Sequence, residues 1–61
     1  MIKQNINYYY VLDYGTGQAH IFPGPKLEST EKMETYLSEQ IGFKMSQISW
    51  MVTETLEINI N

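Results

Sequence analysis

From Ile6 to Tyr14 the chain alternates Ile6, Tyr8, Tyr10 and Leu12 with Asn7, Tyr9, Val11 and Asp13, and Gly15-Thr16-Gly17 follows at once. A two-residue period in aromatic and β-branched residues specifies a strand. The two glycines tolerate positive φ and Gln18 to Phe22 resumes β character, which predicts a β-hairpin with a loop of about four or five residues. Pro23-Gly24-Pro25 is expected to end the second strand, because proline cannot donate to a ladder and biases its predecessor away from helix. The even positions of the first strand are the more apolar, and they are expected to form its buried face.

A helix is predicted after the prolines. Ser29 is a suitable N-cap, Glu31 places a negative charge in the first turn, and Met33, Tyr36, Leu37 and Ile41 recur at helical spacing before Gly42, a good terminator. Glu31, Thr35, Ser38 and Glu39 fall on the other side, giving an amphipathic helix of about three turns. Beyond Phe43 and the connection Lys44 to Gln47, the residues Ile48, Trp50, Val52, Leu56, Ile58 and Ile60 share parity. This reads as one long strand bent near Thr53-Glu54-Thr55, or as a break there leading into a terminal hairpin, with the break preferred because Glu54 interrupts the apolar side. The expected fold is a single small α+β domain over 1–61. It has two layers: an antiparallel sheet of three or four strands (β-β-α-β or β-β-α-β-β) and one amphipathic helix on one face.

Composition limits the chemistry. The 61 residues include no cysteine, one histidine and four cations, all lysine (Lys3, Lys26, Lys32, Lys44). Disulfides, thiolate nucleophiles, cysteine-based metal sites and guanidinium forks are therefore excluded, and no metal or cofactor is expected. A domain this small buries only about 60% of the surface its unfolded chain exposes, so self-association is an attractive source of stability. With 43% hydrophobic residues and a net charge of −3, the chain is expected to fold, and its charge opposes the counterion-releasing attraction that drives nucleic-acid binding. No stretch has the length of a membrane span or the apolar core of a signal peptide, which makes a cytoplasmic protein without membrane contact the expectation. A bacterial or phage origin is expected on general grounds and rests on no particular residue.

The segment Tyr10-Val11-Leu12-Asp13-Tyr14-Gly15-Thr16-Gly17 resembles the first phosphate loop of the actin, sugar-kinase and heat-shock ATPase superfamily. That resemblance implies backbone amides facing nucleotide phosphates and an aspartate near the metal. It covers about eight residues; the superfamily encloses its nucleotide between two large lobes, for which 61 residues do not suffice, and Asp-x-Gly-x-Gly is also ordinary hairpin chemistry. His20 is read as a structural histidine rather than a general base, and Glu28, Glu31, Glu34 and Glu39 as a solvated helix face.

The aromatic residues carry the functional expectation. With the even face of the first strand under the helix, Tyr9, Val11, His20, Phe22 and Met51 would share an uncovered sheet face, while Trp50, Tyr8 and Tyr10 would be core. Uncovered Tyr, Phe and Met mark protein interfaces. The chain therefore reads as a non-enzymatic protein-protein interaction or regulatory module, a homodimer or other homo-oligomer, or an adaptor or inhibitor binding another protein. The competing class is single-stranded nucleic-acid binding by stacking on the same rings, disfavoured by charge. A small enzyme using His20 comes third.

Overall fold

The computed structural model describes residues 6–59, and Ile60, which the sequence places in line with Ile58, lies outside them. Strands β1 (Ile6–Asp13), β2 (Gln18–Pro25) and β3 (Ile48–Thr53) form one antiparallel sheet in the order β2-β1-β3, with helix α1 (Thr30–Thr35) between β2 and β3 in sequence. This is the expected small α+β arrangement, β-β-α-β.

The β1–β2 hairpin closes over four residues, Tyr14 to Gly17. Asp13 makes the turn: its carboxylate accepts from the backbone N–H of Gly15 at 2.9 Å and of Thr16 at 3.3 Å, and Gly17 N–H donates to Asp13 C=O at 2.8 Å. The Asp-x-Gly-Thr-Gly segment thus spends its aspartate on its own turn. Strand β2 does not stop at Phe22 but runs through both prolines to Pro25. The ladder registers explain why. Tyr14 N–H donates to Gln47 C=O at 2.8 Å, one step beyond the Asp13–Ile48 pair. Hydrogen-bonding direction alternates along a strand, so the even residues of β1 point their backbone groups at β3 and the odd ones at β2. In β2 the residues turned toward β1 are then Gln18, His20, Phe22 and Gly24, and Pro23 and Pro25 face outward. Each proline sits where no ladder donor is missed.

Helix α1 starts at Ser29, whose hydroxyl accepts from Lys32 N–H at 3.2 Å. From Tyr36 to Ile41 the helix continues in wider π-type turns and ends at Gly42, which adopts φ 97° and donates to Leu37 C=O at 3.0 Å. That left-handed φ is accessible to glycine without strain. Ile41, the last residue of these wider turns, is exposed rather than part of the buried stripe. A short 3₁₀ turn, Met45–Gln47, leads into β3.

The buried core is Tyr9, Val11 and Leu37, with Phe22, Met33, Tyr36, Phe43, Met45, Ile48, Trp50 and Val52 packed around it. The helix therefore covers the odd face of β1, the reverse of the expected assignment. β1 read alone misleads here because the register adds its neighbours to each face. Beside Tyr9 and Val11 it places Phe22, His20, Val52 and Trp50, whereas beside Tyr8, Tyr10 and Leu12 it places Pro23, Ile21, Ala19, Thr53, Met51 and Ser49. Summed over three strands, the odd face holds the larger aromatic and β-branched volume, and burial follows the sum.

Beyond Thr53 the chain bends at Glu54 and Thr55 and continues to Asn59 without regular structure. The break is where the charge on the apolar side puts it, but no fourth strand forms among the described residues. Thr53 Oγ1 donates to Thr55 C=O at 2.6 Å, and Glu54 pairs with Lys26 at 3.1 Å, tying the end of β3 to the residue after β2.

Candidate interaction surface: the open sheet face

Four of the five residues expected on the open face lie under the helix. Tyr9 is fully buried, its phenol donating to Pro25 C=O at 2.6 Å and its ring stacked parallel to Phe22 with centroids 5.7 Å apart. Val11 is buried beside it. Phe22 continues the stack to Phe43 at 6.3 Å, and the half-buried His20 ring tilts against Phe43 at 5.4 Å. Burial pushes the Tyr9 phenol above its ordinary pKa of 10.0, and the neighbouring Tyr36 adds to the shift. Only Met51 is where it was expected, 54% exposed. It shares the open face not with Tyr9 but with Tyr10, its ladder partner. Trp50, Tyr8 and Tyr10 are likewise divided: Trp50 is half-buried on the helix side opposite Val11, and the two tyrosines are half-buried on the open side.

The face left uncovered by α1 is built from Tyr8, Tyr10 and Leu12 of β1, Ala19 and Ile21 of β2, and Ser49 and Met51 of β3. Leu12 is 51% exposed and Ile21 42%. A depression of about 330 Å³ lies among Tyr10, Leu12, Ser49, Trp50 and Met51. Three strands contribute to this surface without a charged side chain on it, because Asp13 pairs with Gln18 and Ile48 on the opposite parity.

The C-terminal segment reaches onto this face at Tyr10, in the middle of the central strand. Glu57 N–H donates to the Tyr10 hydroxyl at 3.1 Å, and that hydroxyl lies 3.4 Å from the Thr55 and Glu57 carbonyls to which it can donate. The segment rests on Tyr10 through backbone atoms while Leu56 and Ile58 remain exposed. Tyr14 at the other end donates to or accepts from Ser49 Oγ at 2.7 Å. Sequence reasoning missed Tyr10, Leu12 and Ile21 as surface residues. The available signal was the volume of Phe22, Trp50 and Val52 taken together, once a register was assumed.

Among the described residues no three His, Asp or Glu side chains converge as a metal site, and no helix is long and apolar enough to cross a membrane. His20 faces the helix layer, on the opposite side of the sheet from Ser49. Comparison with protein families, with curated proteins and with solved structures finds no match to this chain.

Proposed function

We propose that the chain is a non-enzymatic protein-protein interaction module whose recognition surface is the open sheet face. The observation that carries this reading is the set of exposed uncharged side chains Leu12, Ile21 and Met51, beside the half-buried Tyr8 and Tyr10, on the sheet face that the one helix does not cover. Aromatic side chains supply contact area at low conformational cost, Met51 adapts to an irregular partner surface, and the absence of charge removes the desolvation penalty from the centre of an interface. The same lack of charge weakens the nucleic-acid reading, because among the described residues no lysine on this face meets a phosphate.

The test is a double substitution, Leu12→Ser with Met51→Ser. Both side chains are about half exposed, so the circular dichroism spectrum and thermal midpoint should stay close to those of the parent. Partner binding should be lost, measured with a partner captured from the host, identified by mass spectrometry and then purified. Undiminished binding by the double variant would remove the open face from the function, and a salt-sensitive complex with a single-stranded oligonucleotide would replace a protein partner with a nucleic acid.

A further inference from the structure

The two edges of the sheet are unlike. On the β2 edge the outward residues are Ala19, Ile21, Pro23 and Pro25, so the last two offer no N–H to an incoming strand. On the β3 edge the outward residues are Ile48, Trp50 and Val52, each with a free N–H and C=O. No backbone or side-chain hydrogen bond reaches these groups among the described residues. The strand Ile-Ser-Trp-Met-Val-Thr carries no charge, no proline and no glycine, the features by which an edge is ordinarily kept single.

We infer that β3 pairs antiparallel with β3 of a second copy about a twofold axis at Trp50, joining two sheets into one of six strands. Side chains opposite each other in a ladder must share a face, so a twofold pairing has to centre on a residue rather than between two. Centring on Trp50 sets Ile48 against Val52 of the partner subunit and Trp50 against itself. Every outward donor and acceptor of the strand then finds a partner, in about six inter-strand bonds. Centring on Met51 would leave Ile48 facing Glu54, beyond the end of the strand, and would satisfy fewer groups. Two uncharged strands meet without like-charge repulsion, and both helices and both open faces fall on common sides of the joined sheet. This deepens the interaction-module reading by naming a second copy as a partner, but edge and face are different surfaces and can fail separately.

The chain has no cysteine, so introduced thiols report the register directly. In the Trp50-centred pairing Ser49 lies opposite Met51 of the partner subunit in a non-hydrogen-bonded pair, about 4.5 Å between Cα atoms, within disulfide reach. Two Met51 residues are then diagonal neighbours at about 7–8 Å, outside it. Mixing Ser49→Cys with Met51→Cys under mild oxidation should give a disulfide-linked heterodimer, while each variant alone stays unlinked. Absence of a mixed dimer overturns the proposal, and so does linkage of Met51→Cys alone, which would show the other register. Val52→Pro removes one outward donor as Pro23 does on β2, and should yield a monomer in sedimentation equilibrium. If that variant unfolds, the cysteine pair still decides. Leu12→Ser alone, on β1 and away from the β3 junction, tests the open face without touching the edge and should remain dimeric.

Discussion

Tyr9 and Gly24 depend on each other. A Cβ at position 24 would lie 2.5 Å from Tyr9 Cε1, 2.7 Å from its Cδ1 and 3.2 Å from the Tyr36 hydroxyl, so the Tyr9 ring lies against the glycine backbone with the helix above it. Gly24→Ala is expected to destabilise the domain by about 1–3 kcal/mol through overpacking, read from urea midpoints. Tyr9→Phe keeps the ring and loses the 2.6 Å hydrogen bond to Pro25, a cost of about 1 kcal/mol. It should also alter the alkaline limb of stability. Burial raises the Tyr9 pKa in the fold above the 10.0 of the unfolded chain, so the native state holds this proton more tightly. The stabilisation is complete below pH 10 and is lost as pH rises through the folded value. Urea midpoints on the alkaline side of pH 10 should fall more steeply for the parent than for Tyr9→Phe; parallel slopes would show that Tyr9 does not set this limb.

At the level of elements, the helix was the most legible part of the chain. Ser29 caps it, Gly42 ends it and Leu37 lies on its buried side, as the spacing predicts, whereas Ile41 of the same stripe is exposed. Leu37→Ala should therefore cost about 2–5 kcal/mol, enough to unfold much of a small domain, whereas Thr35→Ala on the exposed side should be nearly silent. Equal denaturation midpoints for the two would contradict the observed helix orientation. The sheet was legible as strands but not as faces. Alternation in β1 gives two candidate faces, and the choice between them rests on Phe22, Trp50 and Val52, which join β1 through registers that no local pattern states. For the same reason the functional surface was read inside out: Tyr9, Val11, His20 and Phe22 share one face, as expected, but that face is the core side. Met51 was separated from them by the β1–β3 register alone. The C-terminal parity of Leu56 and Ile58 suggested more strand, yet no ladder partner receives them among the described residues.

For the whole molecule the consequential feature is the pair of prolines on the outer side of β2. In the language of polymer chemistry, a sheet with one reactive edge is a monofunctional unit: it couples once and stops, so association ends at a dimer however concentrated the solution. A sheet with two reactive edges is bifunctional, and coupling through both gives ribbons without a natural end. On the β3 pairing proposed above, Pro23 and Pro25 place this chain in the first class. Pro23→Thr with Pro25→Thr would restore the two missing donors at positions already extended, leaving the fold in place. Concentrated solutions of that variant should then form species far larger than dimers, seen as rising light scattering and thioflavin fluorescence, while the parent reaches a plateau at twice 7.1 kDa. On that pairing the prolines, which leave the fold's own ladder intact, act as chain terminators for the assembly it would otherwise seed.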